Sequence, residues 1–209
     1  MSRLLAIDTA TSRPTLAVGV PGQPSLERAI ADRHDLSREI ERVTLALLAE
    51  AGLAPRDLAG VIVADGPGSF TGLRIGVAFA KGLCRALAVP LSAIPSMLGA
   101  ARSAPDGAAV VVEYDALRGD VYRAAYRLAA ASVTVLAAPH LVRAGSPVDL
   151  AGAVRAGEAQ ASAALLLRVA AIPGVTSALF DPSSWEPSYG RRAEAEARRL
   201  EQESRAGRA

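Results

Sequence analysis

Asp65-Gly66-Pro67-Gly68-Ser69-Phe70-Thr71-Gly72 follows a short apolar run, Gly60 to Ala64, and opens a helical pattern that continues to about Ala88. Strand, glycine-rich turn and helix in that order make a βα unit, and the N–H groups and positive dipole end at such a helix start suit an anion. The two standard phosphate loops do not fit. A Walker loop needs Gly-Lys-Ser/Thr at its end, whereas Gly72 is followed by Leu73-Arg74. A dinucleotide fingerprint needs G-x-G-x-x-G and an acid about 20 residues further on. Here the spacing is G-x-G-x-x-x-G, and no Asp or Glu stands between Gly66 and Pro105. Two readings stay open: an anion site, or a tight turn whose glycines let helix and strand pack closely.

The helix beyond the loop carries two adjoining apolar arcs, Leu73, Val77, Ala80, Cys84 and Leu87, then Ile75, Phe79, Leu83 and Ala86. At 100° per residue they cover roughly 200°, about twice the stripe a surface helix needs. Arg74, Lys81 and Arg85 take the remaining face. Such a helix is buried between two layers of its own domain, or it covers its own sheet and a partner.

Outward from this unit, Leu4 to Asp8 predicts a buried strand ending in a carboxylate, with a polar turn from Thr9 to Pro14 and a second strand from Thr15 to Val20. Leu36, Ile40, Val43 and Leu47 recur at helical spacing, with Gly52 and Pro55 as the stop. Leu91 to Ile94 predicts a strand, and Ser96 the cap of a short helix. The second half begins like the first. Ala109 to Glu113 runs to Asp115, a turn spans Leu117 to Asp120, and strands follow at Val121 to Leu128 and Ser132 to Leu136. Asp8 and Asp115 lie about half the chain apart, which points to a duplicated unit and two similar subdomains with a boundary near residues 98–105. Residues 144–178 are alanine-rich and give no segmentation. Gly190 to Arg205 predicts a polar terminal helix.

Composition excludes several classes. With 209 residues, 51% hydrophobic and 21% charged, the chain is neither disordered nor collagenous. The longest uncharged runs, Ala86 to Ala101 and Leu128 to Val142, fall short of the roughly 18 residues a membrane helix needs, and prolines interrupt both. The apolar run Leu4 to Ile7 is too short for a signal peptide. A single cysteine, Cys84, forms no internal disulfide and suits a reducing cytoplasm. The net charge is +2, and the six arginines and four glutamates after Gly190 account for all of it. The body is therefore neutral, which argues against a broad phosphate-gripping surface. His34 and His140 stand far apart, Cys84 falls on the apolar side of its helix, and Ser69 is not in a G-x-S-x-G context. No metal site or catalytic constellation is visible. Asp8, Thr9, Thr11 and Ser12 form a weak nucleotide-binding candidate, set against a turn closed by its own side-chain hydrogen bonds.

Three segments carry a family resemblance: Leu4-Leu5-Ala6-Ile7-Asp8-Thr9-Ala10-Thr11; Gly66 to Gly76 with Ala80-Lys81-Gly82-Leu83; and Asp115-Ala116-Leu117-Arg118-Gly119-Asp120-Val121-Tyr122. They resemble the TsaB family, bacterial proteins also called YeaZ, and Glu186-Pro187-Ser188-Tyr189 is similar to a proline-tyrosine motif near that family's end. The resemblance covers residues 1–125 well and departs at Leu117, where a polar residue is common. It implies an α/β, actin/Hsp70-like (ASKHA) fold of two related subdomains, residues 1–100 with the glycine loop and partner-facing helices and residues 101–209 with the terminal helix. It implies a subunit without chemistry of its own in tRNA threonylcarbamoyladenosine modification, supporting TsaD on tRNAs that read ANN codons. The related transferase TsaD carries a His-x-x-x-His metal site after the next strand, where this chain has Ser96-Met97-Leu98-Gly99-Ala100. The implied partners are TsaD and TsaE, with a homodimer through the same face and tRNA reached through the complex; ATP and metal belong to the assembly. The implied partner surface draws on Leu36, Ile40, Val43, Ser69, Phe70, Thr71, Leu73, Arg74, Ile75, Val77, Phe79 and Leu83. The alternative, a small actin-fold ATPase or phosphotransferase, rests on Asp8 and the 66–72 loop.

Overall fold

The strands that read as unbroken apolar runs are those covered on both faces. In the computed structural model, which describes residues 2–176 and 184–188, β1 (Leu4–Asp8) pairs antiparallel with β2 (Thr15–Gly19), and β2 with β3 (Leu26–Ala29). Helix α1 (Leu36–Glu50) then carries the chain to β4 (Gly60–Ala64), parallel to β1. Helix α2 (Phe70–Leu87) leads to β5 (Leu91–Ile94), parallel to β4, giving the order β3-β2-β1-β4-β5. After α3 (Ser96–Ala101), the pattern recurs. Strands β6 (Ala109–Asp115), β7 (Asp120–Ala129) and β8 (Ser132–Arg143) form an antiparallel meander. Strand β9 (Val154–Gly157) lies parallel to β6, in the order β8-β7-β6-β9. Helix α4 (Ala163–Val169) follows.

Alternation along the strands divides the interior in two. Leu5, Ile7, Leu16, Val18, Val61 and Val63 pack with Leu36, Ile40 and Leu47 of α1 and Val77, Ala80 and Cys84 of α2. Ala6, Ala17, Ile62 and Ala64 face the opposite way, into a second core with α3, α4 and the inner side of the β6–β9 sheet. The two halves exchange helices: α3 packs on β6 and β7, while α4 packs on β1 and β2. The exchange is tight where α3 crosses α4, since a Cβ on Gly99 would lie 2.7 Å from Leu166 Cδ2.

Several elements differ from the sequence reading. Ser96 is not a cap; Pro95 holds that position, and the Ser96 hydroxyl, inside the helix, accepts from Gly66 N–H. Strand β8 runs beyond Leu136 to Arg143, because shifts in its pairing with β7 around Ala125 take up extra residues, Pro139 among them. Strands β3 and β9 and helix α4 were not predicted. The terminal helix expected over 190–205 lies outside the described residues.

Candidate functional site

The glycine loop is built against the β1–β2 turn. Ser69 N–H donates to the Ala10 carbonyl at 2.6 Å, and Ser69 caps α2 by accepting Gly72 N–H at 3.2 Å. Gly66 N–H donates to Ser96 Oγ at 2.9 Å. The glycines serve close approach. A Cβ at Gly68 would sit 2.2 Å from the Ala10 carbonyl oxygen, one at Gly72 2.2 Å from the Thr9 carbonyl oxygen, and one at Gly76 2.2 Å from Thr9 Oγ1. Helix α2 is thus laid directly on the turn, which is the tight-packing reading of the loop.

The four nucleotide candidates lie at the end of β1 and in this turn, and Thr9 is the one that meets α2, at Gly76. Asp8, Thr9 and Thr11 are buried, while Ser12 is exposed. Asp8 Oδ1 accepts Ala10 N–H at 3.1 Å, and Thr11 Oγ1 accepts Arg13 N–H at 3.3 Å, so both side chains close the turn. Asp8 Oδ2 and Thr9 Oγ1 find no partner among the described residues. Burial pushes the Asp8 carboxyl up to about 6, against the Ala10 hydrogen bond and with the help of Glu27 and Glu158. Asp65, at the head of the loop, is also pushed up to about 6 by burial. Ser12 N–H and Oγ contact Glu158 Oε2 at 3.4 Å, and Asp115 N–H donates to Glu158 Oε1 at 3.1 Å. Glu158 therefore bridges the hairpin turns of the two halves, a link the sequence did not signal.

The partner-surface candidates separate into two groups. Leu36, Ile40 and Val77 lie in the first core and Leu73 in the second, so they are not available to a partner; apolar spacing gave the width of the arc but not which part the chain itself covers. Val43, Ile75, Phe79 and Leu83 are half-buried, packed on the rim of that core with their outer sides open. Ser69 and Phe70 are half-buried, Thr71 and Arg74 exposed, and the Arg74 guanidinium stands 4.9 Å from the Phe70 ring centroid. Sequence reasoning missed Trp185, which packs against the same core; its only signal was being the sole tryptophan. Ser96 to Ala100 are buried, with Met97 and Leu98 in the second core. Cys84 is buried, and burial pushes its thiol up to about 11. Among the described residues no helix is long and apolar enough to cross a membrane.

A family model described as TsaD, tRNA N6-adenosine threonylcarbamoyltransferase, matches residues 28–171. The protein named TsaB from Bacillus subtilis is 44% identical over 84 residues, 39% of this chain and 36% of the relative. That from Escherichia coli is 33% identical over 128 residues, 60% of this chain and 55% of the relative. The solved structure of YeaZ from Pseudomonas aeruginosa superposes with a TM-score of 0.74 at 25% identity, covering 90% of this chain and 99% of that one. The chain belongs to the TsaD family, on its TsaB/YeaZ side. Its fold is accordingly the actin/Hsp70-like (ASKHA) α/β fold with two related sheets, as the resemblance implied. The chain spans 36% to 60% of the length of several curated relatives it matches.

Proposed function

We propose that this chain is a non-catalytic subunit that binds TsaD and supports threonylcarbamoyl transfer to the adenosine beside the anticodon of tRNAs reading ANN codons. The observation that carries the reading is the half-exposed apolar ridge of Ile75, Phe79 and Leu83 on α2, with Val43 of α1 beside it. A ridge of this kind is what a partner helix packs into. Ser69, Phe70, Thr71 and Arg74 border it at the start of the helix. The proposed absence of chemistry rests on Ser96 and Ala100, fully buried residues that stand where the related transferase carries its two metal-binding histidines. In this reading ATP, metal and TsaE belong to the assembled complex, tRNA is reached through it, and the same ridge serves a homodimer. The ridge lies in the 1–100 subdomain, and the setting is the cytoplasm.

The test is co-purification with TsaD. Phe79→Glu is expected to abolish it while leaving the far-UV circular dichroism unchanged, because Phe79 lies at the rim of the core. Retained co-purification of a folded Phe79→Glu chain would remove the ridge from the interface. Failure of the wild type to bind TsaD at all would remove the function.

A further inference from the structure

Residues 184–188 run along α2 and the glycine loop, and the chain anchors them at several points. Lys81 Nζ donates to the Trp185 carbonyl at 2.5 Å, and the same ammonium lies 5.7 Å from the Trp185 ring centroid. Pro187 is buried. Ser188 N–H donates to the Asp65 carbonyl at 2.7 Å. Gly66 makes the last contact possible, since its φ is +100° and a Cβ there would lie 2.0 Å from the Ser188 carbonyl oxygen. The anchors are thus the first residues of the glycine loop and the fourth turn of α2.

The segment does not lie on the proposed docking ridge. At 100° per residue, Lys81 falls about 80° to one side of Leu73 on the helix circumference, and Phe79 about 120° to the other. The segment and the ridge therefore bracket α2 from opposite flanks, with the core-facing line through Leu73, Val77 and Cys84 between them. We propose that residues 184–188 are a strap, clamped by Lys81, that fixes α2 and the glycine loop in the position the docking ridge requires. Lys81 and Trp185 are then positioning residues for that surface, and the inference rests on the docking reading above.

Lys81 is the chain's only lysine, so amine acylation of the full chain reports directly on the clamp, the N-terminal amine being resolved by peptide mass. With the strap seated, acetylation of Lys81 is expected to run roughly tenfold slower in the wild type than in a Trp185→Ala, Ser188→Pro double variant, because the half-buried ammonium is held on the Trp185 carbonyl until the strap opens locally. Equal rates would show that the strap is not seated and overturn the proposal. In titrations with purified TsaD, the double variant and Lys81→Met are expected to bind roughly tenfold more weakly, with melting temperatures close to wild type. Lys81→Arg, which keeps a donor and a cation, is expected to retain the affinity; equal loss in Arg and Met variants would overturn the clamp. Faster acetylation with unchanged affinity would overturn positioning and leave the docking reading intact. A wild type that does not bind TsaD would instead fail the docking reading, and the positioning role with it.

Discussion

The two sheets repeat one plan, a meander followed by a strand parallel to its first member, yet they use the following helix in opposite ways. In the first half, α2 covers its own sheet and leaves Ile75, Phe79 and Leu83 at the rim of the core. In the second, α4 turns away from its own sheet and is consumed inside, with Leu166 and Leu167 fully buried against the first half. The second sheet instead carries the buried Arg123. Its guanidinium pairs with Glu113 at 2.6 Å and donates to the Ser146 and Pro147 carbonyls at 2.8 Å. The second half meets the loop after β8 through hydrogen bonds, and the first keeps an amphipathic helix with apolar surface to spare. That asymmetry is what favours α2 for the proposed docking surface.

The largest expected effect breaks the first half. Gly72→Ala would drive a Cβ to 2.2 Å from the Thr9 carbonyl oxygen, a backbone atom that cannot swing aside. A loss of about 3 kcal/mol or more is expected in urea unfolding. Gly82 on the same helix has nothing within 4 Å, so alanine there should add about 0.5–1 kcal/mol as helix propensity alone dictates. Similar values for the two variants would mean that the glycines do not seat α2 on the turn.

A smaller effect is expected in the second half. Arg123→Met would leave the Ser146 and Pro147 carbonyls without this donor and Glu113, among the described residues, with only the longer contact to Arg155, at 3.6 Å. A loss of about 2–4 kcal/mol follows from unpairing a mostly buried ion pair. Arg143→Met, which breaks a solvent-exposed pair with Asp120, should cost under about 1 kcal/mol. If denaturant midpoints show Arg123 costing no more than Arg143, polar closure of the second half is wrong.

How far the sequence carried depended on burial. Strands β1 and β4 are covered on both faces, so Leu4 to Asp8 and Gly60 to Ala64 announced themselves as apolar runs. The repeated strand-acid-turn pattern at Asp8 and Asp115 foreshadowed the repeated sheet plan. Strand β3 did not show, because Leu26-Glu27-Arg28-Ala29 is a largely exposed edge with no alternation to read. Helix α4 is seven residues within an alanine-rich stretch, too short for its period to stand out. At the site, spacing marked α2 as too apolar for an ordinary surface helix, but could not tell Leu73 and Val77, inside the two cores, from Ile75 and Phe79 at the rim. The Lys81–Trp185 contact joins positions 104 apart, and only the tertiary fold brings them together.

The last prediction sharpens the comparison at its buried acid. Asp8 lies where the first sheet meets both the turn and the second half, and burial, the largest cause, raises its carboxyl to about 6. A carboxyl raised on folding holds its proton in the native state after the unfolded chain has released it. Stability contributed by this group is therefore fullest below about pH 4 and falls as pH rises to about 6, then levels. Asp65 pushes in the same direction, also through burial. Asp8→Asn keeps the acceptor for Ala10 N–H and removes the charge. The variant should match wild type near pH 4 and exceed it by up to about 3 kcal/mol at pH 8, at 1.36 kcal/mol for each pKa unit. Unfolding curves collected from pH 4 to 8 decide the matter. Parallel profiles for the two proteins would mean that Asp8 is not held in a dry contact.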